Sequence, residues 1–138
     1  MSNYAEKVAI ITGGGQGIGK AVAQRLLSAG STVVIAEIDE EAAREVENEY
    51  ADLGTVLYVL TDVTDEASVK NLMETTINAF GRIDVLMNNA GISANRPIAN
   101  LSLEDWNRVI TTNLTGTFLC SKYAAPHLAK HQGSIINM

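Results

Sequence analysis

The segment from Thr12 to Lys20 has the composition of a loop that binds phosphate. It follows a short apolar run, contains glycine at positions 13, 14, 15, 17 and 19, and leads directly into an amphipathic stretch. Glycines let the main chain turn tightly and approach a diphosphate, and a helix that begins beside them offers free N–H groups and a partial positive charge. We therefore expect this loop to bind the diphosphate of a nucleotide.

The same segment partly satisfies a different phosphate-binding pattern. Gly14, Gly19 and Lys20 fit G-x-x-x-x-G-K, the beginning of the P-loop of nucleoside triphosphatases. A P-loop continues with Ser or Thr to hold Mg²⁺, whereas Ala21 follows here. Such proteins also place an Asp at the end of a strand, whereas Asp84 begins its predicted strand. A P-loop is therefore the less favoured interpretation.

Glu37 ends the second apolar run, about 20 residues after the glycine loop, where an acidic residue of a dinucleotide-binding fold contacts ribose. A carboxylate there can accept hydrogen bonds from the ribose hydroxyls of NAD and would repel the 2′-phosphate of NADP. Its neighbours Ala36, Ile38 and Asp39 supply no basic group to bind that phosphate. This position predicts NAD(H) as the cofactor.

These residues need a scaffold, and the chain alternates short apolar runs with amphipathic stretches throughout. We predict a last helix that runs to about Lys130 in two pieces, and a first helix whose buried face carries Ile18, Val22, Leu26 and Ala29. Because connections between parallel strands are right-handed, the pattern predicts an α/β fold with a doubly wound parallel sheet in the order 3-2-1-4-5. The five predicted strands are residues 8–11, 32–36, 55–60, 83–87 and 134–137.

Length and charge limit the classes of protein that fit. The 138 residues suffice for one domain, and a formal charge of −6 with scattered basic residues disfavours nucleic acid and anionic membranes as partners. Cys120 is the single cysteine, and no apolar run is long enough to span a bilayer, so we expect a cytoplasmic protein. His127 and His131 lie one helical turn apart without a third ligand nearby, so we expect no metal site.

Several motifs together make the chain resemble the short-chain dehydrogenase/reductase family. Thr12 to Gly19 is similar to the family's T-G-x-x-x-G-x-G, and residues 88–91 are similar to its N-N-A-G. Asp62-Val63, Asn113 and the stretch 133–138 also match, in the family's order and approximate spacing. The resemblance covers essentially the whole chain. It implies a Rossmann-like fold and the NAD(H)-dependent interconversion of an alcohol and a ketone.

The resemblance also implies roles for individual residues. The glycines would shape the diphosphate loop, Ile18 would pack beneath the cofactor, Glu37 would bind the adenosine ribose, and the backbone around Asp62-Val63 would bind adenine. Asn113 would belong to the catalytic set and hold a water in a proton relay to a Lys. The residues assigned to the cofactor are Gly13, Gln16, Gly17, Ile18, Gly19, Glu37, Asp62, Val63, Asn89, Ala90 and Gly91.

The family's catalytic Ser and Tyr-x-x-x-Lys follow the fifth strand, and the 138 residues do not contain them. Tyr123 cannot replace that tyrosine, because His127 stands four positions later. We therefore expect residues 1–138 to be a single dinucleotide-binding domain, incomplete at its C-terminus and inactive alone. A nucleotide-binding module without catalysis is the alternative.

The resemblance further implies a homo-oligomer that acts on a small alcohol or ketone, whose identity the residues do not indicate. Association would use the helix that contains Asn113. Four apolar side chains of this helix are expected to have no other part of the 138 residues packed on them: Leu114, Phe118, Leu119 and Leu128.

Overall fold

The fold is built on one parallel sheet, and the computed structural model describes residues 3–138 of the chain. The strands pair in the order β3-β2-β1-β4-β5, as predicted. The chain therefore moves outward through β2 and β3, returns past β1, and continues to β4 and β5. The strands are β1 (Val8–Thr12), β2 (Thr32–Glu37), β3 (Val56–Leu60), β4 (Val85–Asn88) and β5 (Ser134–Asn137).

Helices connect the strands, and three of them begin at capping side chains. Asp39, Asp65 and Ser102 each accept a hydrogen bond from the main-chain N–H three residues later, at 3.1, 3.2 and 3.0 Å. The helices are α1 (Gly17–Ser28), α2 (Glu40–Tyr50), α3 (Glu66–Phe80), a 3₁₀ turn (Ile98–Asn100), α4 (Leu103–Ile110), a π-helical segment (Thr111–Thr115) and α5 (Gly116–Ala129).

The two faces of the sheet carry separate hydrophobic cores. Successive strand residues point to opposite faces, so Ile10 of β1 packs towards α3 and α5, while Ile11 packs towards α1 and α2. Both isoleucines are fully buried, as expected for a central strand covered on both sides. These two layers hold the carboxyl ends of the strands in fixed relative positions.

The predicted buried face of α1 is wrong by one position. Gly19, Ala23 and Leu27 are the buried residues of this helix, whereas Ile18 is 59% exposed. Small residues let the helix axis approach the sheet closely, so the flanking Val22 and Leu26 are only partly buried. The prediction assigned the larger apolar side chains to the buried face of α1, and therefore missed that Gly19 and Ala23 make the contact with the sheet.

The prediction for the last helix is corrected in a similar way. Leu114 and Phe118 are exposed, but Leu119 and Leu128 are buried, at 8% and 4% exposure. The latter two lie on the face of α5 that packs against the sheet, so they do not lack cover.

Asp84 anchors the amino end of the sheet, opposite the edge where β1 and β4 deliver their carboxyl ends. It precedes β4, which begins two residues later than predicted, and its carboxylate accepts the N–H of Val8 at 2.9 Å and two bonds from Arg82. Burial would raise the pKa of this carboxyl, but the bonds from Arg82 and Val8 and the nearby positive charges, including that of Lys7, outweigh it and lower the pKa. Asp84 is thus a structural group.

The part of the chain that the structure describes includes no helix both long and apolar enough to cross a lipid bilayer.

Candidate functional site

A cleft of about 390 Å³ lies at the carboxyl edge of the sheet. Residues that directly follow β1, β2, β3 and β4 line it, which places the cleft beside the point where the strand order reverses. Open α/β sheets bind ligands at this point, because the loops from neighbouring strands diverge there. Of the predicted cofactor residues, the following line the cleft: Gly13, Gln16, Glu37, Asp62, Val63, Asn89, Ala90 and Gly91.

The N-terminus of α1 opens from the glycine loop without a side-chain cap. Gln16 occupies the capping position but makes no capping hydrogen bond, and the first turn contains no acidic residue. The amino ends of α2, α3 and α4, by contrast, are capped by Asp39, Asp65 and Ser102. The N–H groups and partial positive charge at α1 therefore stay available to an anion.

Close packing explains why glycine is needed at two positions of this loop. Gly13 has a φ of 64°, and a Cβ there would lie 2.9 Å from the Cα of Ala90. A Cβ on Gly19 would lie 2.6 Å from Nδ2 of Asn89. That same nitrogen donates to the carbonyl oxygens of Thr12 and Gly13, each at 3.1 Å. Asn89 thus ties the loop to the end of β4.

Thr12 makes a second connection between β1 and β4. Its hydroxyl oxygen accepts the N–H groups of Asn89 and Ala90, each at 3.0 Å, and its hydroxyl donates to the carbonyl of Met87 at 3.4 Å. The residue is 1% exposed, so water cannot replace these partners. Thr12 begins the glycine-rich motif, but the sequence indicated no role for its side chain. The available signals were its place in that motif and a polar side chain at the end of a buried strand.

The Glu37 carboxylate lies at the wall of the cleft, where the main chain holds it in place. One oxygen accepts the N–H of Gly15 at 3.0 Å, and the other accepts the N–H groups of Ile38 and Asp39 at 2.9 and 3.2 Å. A carboxylate offers about four acceptor sites, so it can still accept a hydroxyl of a ligand. Glu37 is therefore both fixed and able to bind.

The Asp62 carboxylate turns into its own loop, where it accepts the N–H and hydroxyl of Thr64 at 2.9 and 2.6 Å. Val63 is buried, and a Cβ on Gly116 of α5 would lie 2.7 Å from its side chain. These contacts fix the main chain of the loop as one wall of the cleft. That the backbone around Asp62-Val63 binds adenine stays a prediction.

Asn113 lies in the π-helical segment between α4 and α5. Its side-chain oxygen accepts the N–H of Ile92 at 2.9 Å, and its amide nitrogen donates to the carbonyl of Ile92 at 3.0 Å. This pair of bonds joins the helix to the chain that leaves β4, and Oδ1 lies 3.3 Å from the position of a Cβ on Gly91. Asn113 does not line the main cleft. It lines an adjacent depression of about 510 Å³ with Trp106.

The π-helical geometry is the observed form of the predicted break in the last helix. The N–H of Gly116 bonds to the carbonyl of Thr111, five residues earlier instead of four. Where α-helical spacing resumes, one main-chain carbonyl has no helical donor of its own. The main-chain carbonyl of Asn113 accepts the hydroxyl of Thr117, four residues later, at 2.8 Å.

The P-loop interpretation does not fit the structure. Nζ of Lys20 lies 2.6 Å from the Glu49 carboxylate, so this side chain points to α2 and away from the loop. The hydrogen bond to Glu49 raises the pKa of Lys20. Because Lys20 is engaged in a helix–helix ion pair, it does not serve as the phosphate-binding lysine of a P-loop.

Three predicted cofactor residues do not line the cleft itself. Gly17 and Ile18 are exposed at the start of α1, and Gly19 is buried beneath the loop. Gly17 has a φ of 56°, and apart from its chain neighbours and the backbone of its own helix, no described atom lies within 4 Å of where its Cβ would be. The loop therefore leaves open space above α1, next to the uncapped N–H groups. Cofactor binding by all these residues stays a prediction.

The chain is similar to known proteins over nearly its full length. Residues 7–138 match the family model described as short chain dehydrogenase. An uncharacterized oxidoreductase of Thermotoga maritima is 50% identical over 131 residues, which are 94% of this chain and 51% of that protein.

Two relatives with named activities are also similar. The meso-2,3-butanediol dehydrogenase of Serratia marcescens is 38% identical over 97% of this chain and 53% of its own length. The cis-4-hydroxycyclohexanecarboxylate dehydrogenase of Sinomonas cyclohexanicum is 44% identical over 98% of this chain and 55% of its own length. The chain thus spans about half the length of the curated relatives it matches.

Proposed function

Because the chain belongs to the short-chain dehydrogenase family, we propose that residues 1–138 are the NAD(H)-binding part of an alcohol/ketone oxidoreductase. The observation that carries the proposal is the cleft at the carboxyl edge of the sheet. It gathers the glycine loop, Glu37, the Asp62-Val63 loop and residues 89–91 around one volume. This donor and acceptor set suits a dinucleotide, which needs an anion site and a ribose acceptor at the two sides of a crevice.

The uncapped amino end of α1 would receive the diphosphate, since its N–H groups have no side-chain partner and Gly17 leaves space above them. Glu37 would accept a hydroxyl of the adenosine ribose. The main chain at Asp62 and Val63 would lie against adenine, and residues 89–91 would flank the rest of the cofactor. When bound, the nicotinamide ring supplies or accepts the hydride.

Asn113 would contribute to the proton pathway as a positioning group. A side-chain amide has no proton to give near neutral pH, and that of Asn113 is held by the main chain of Ile92, so its part is to fix the π-helical segment. The proton donor itself must be another residue. None of the tyrosines in the 138 residues is followed four positions later by lysine.

We propose a small-molecule alcohol or ketone as the substrate class. The relatives from Serratia and Sinomonas are named as dehydrogenases of a diol and of a hydroxycyclohexanecarboxylate. Steady turnover of NAD⁺ with alcohols by residues 1–138 alone is not expected, since the acid/base pair is missing. An absorbance assay at 340 nm on protein of confirmed mass would show such turnover if this expectation is wrong.

A binding titration tests the proposal directly. NADH fluorescence should report binding to the 138-residue chain, and NADPH should bind roughly tenfold or more weakly, the equivalent of one charge-assisted hydrogen bond. Glu37→Ala should narrow this gap. Glu41→Ala removes the same charge from an exposed position of α2 and should leave the gap unchanged. Equal binding of both cofactors by the unmodified chain would contradict the NAD(H) assignment.

Association into a homo-oligomer is also proposed, through the exposed Leu114 and Phe118. These two large apolar side chains stand four positions apart in the helical stretch, and a second surface that covered both would bury apolar area. Light scattering should detect the assembly. Phe118→Glu should reduce its mass, and an unmodified chain that stays monomeric at high concentration would contradict the proposal.

A further inference from the structure

Gly15 is a glycine whose backbone does not require glycine. The described glycines with positive φ are 13, 17, 30, 54 and 81, so the conformation of Gly15 is open to any residue. Gly15 is nevertheless buried. Any constraint that favours glycine at this position therefore comes from its surroundings.

The surroundings of Gly15 are dominated by Glu37. A Cβ at position 15 would lie 2.9 Å from Oε2 and 3.0 Å from Cγ of Glu37, and 3.2 Å from Cβ of Ala42. All three contacts are shorter than the ~3.5–4.0 Å at which carbon atoms prefer to pack, so a neighbouring group would have to shift. The end of the Glu37 side chain can rotate about more bonds than Cβ of Ala42 can, so it is the group that would move.

Glu37 cannot move without losing hydrogen bonds. Its carboxylate is held by the N–H groups of Gly15, Ile38 and Asp39, and it is 8% exposed. Alanine at position 15 would keep the N–H group but would push Oε2 away from it. The methyl group would thus undo the arrangement that the adjacent N–H group supports.

We propose that Gly15 and Glu37 are a size-matched pair, in which the missing side chain at position 15 sets the position of the carboxylate that selects NAD(H) over NADP(H). Gly15 is then a positioning residue for cofactor selectivity, and this role rests on the proposed function. The pair also explains why a glutamate can occupy this place. Its extra methylene relative to aspartate extends into space that a side chain at position 15 would fill.

A double-mutant cycle tests the pair with three variants: Gly15→Ala, Glu37→Asp and the two changes combined. In each protein, NADH and NADPH are titrated by fluorescence, and thermal unfolding is recorded without nucleotide. The cycle isolates the coupling, because each single change alters one member of the contact.

Gly15→Ala should weaken NADH binding by about tenfold and NADPH binding by much less, which lowers the selectivity ratio. In the Glu37→Asp background the same alanine should change NADH affinity by no more than about threefold, since the shorter side chain leaves room for the methyl group. Gly15→Ala should likewise lower the unfolding temperature in the Glu37 background only. If Gly15→Ala disturbed packing without displacing the Glu37 carboxylate, the ratio of NADH affinity to NADPH affinity would not change.

The proposal would be wrong if Gly15→Ala lowered NADH affinity equally in the Glu37 and Glu37→Asp proteins. It would also be wrong if Gly15→Ala left the ratio of NADH to NADPH affinity unchanged. Failure of the proposed function gives a different result, in which the unmodified chain binds neither cofactor. In that case the proposed role in cofactor selectivity is also wrong. The unfolding temperatures of the four proteins then decide whether Gly15 and Glu37 are matched in size.

Discussion

Thr12→Val should destabilise the protein more than Thr12→Ser, although valine keeps the shape of threonine and serine does not. Valine is also the better strand residue, and Thr12 ends a central strand at 1% exposure. A hydrophobic argument alone therefore predicts that valine is tolerated. The hydrogen bonds of the hydroxyl predict the opposite.

The magnitude follows from the partners that each change removes. Valine leaves the N–H groups of Asn89 and Ala90 without their acceptor at 3.0 Å. Each half-buried donor left unpaired lowers the free energy of unfolding by ~1–1.5 kcal/mol, and burial of the added methyl group raises it by up to ~1 kcal/mol. The net loss for the two donors is about 2 kcal/mol. Serine keeps the hydroxyl and loses one methyl group, which costs about 1 kcal/mol.

Urea unfolding followed by circular dichroism measures both losses. Hydrogen exchange adds a local test, because the amides of Asn89 and Ala90 should lose protection in the valine variant and keep it in the serine variant. Nucleotide binding should weaken in parallel, since these amides belong to the chain segment that lines the cleft. A valine variant as stable as the serine variant, with both amides still protected, would refute this reasoning.

Further predictions concern groups away from the cleft. The pKa of Asp84 is lowered in the folded state, so the stabilisation it provides is complete above pH ~4 and is lost as the pH falls through the folded-state pKa. Asp84→Asn should therefore reduce the loss of unfolding free energy at acid pH. An unchanged dependence of that free energy on pH would contradict this. Burial raises the pKa of the Cys120 thiol to about 12, so iodoacetamide at pH 8 should label it only after unfolding, as mass spectrometry can determine. Gly133→Ala would place a Cβ 2.5 Å from the carbonyl oxygen of Asp84, and a loss of about 1–3 kcal/mol in urea unfolding is expected, whereas an unchanged midpoint would show that the backbone yields easily.

The order of the strands and the membership of the cleft were largely predictable from the sequence. Both depend on local patterns: apolar runs of strand length, glycines at the first turn, and an acidic residue at the end of β2. Right-handed crossovers leave few arrangements for such a chain, so the sheet order and the meeting of Gly13, Glu37 and Asn89 at one edge followed from the pattern.

The tertiary structure alone decided which atoms meet. The buried face of α1 was misjudged because close packing of Gly19 and Ala23 depends on the distance between helix and sheet. Thr12 reaches residues 89 and 90, and Gly15 borders Glu37, only because neighbouring strands bring segments distant in sequence to hydrogen-bonding range. Sequence patterns specify the type and order of the elements, while helix orientation and distances of a few ångströms between segments depend on how the two layers of helices pack on the sheet.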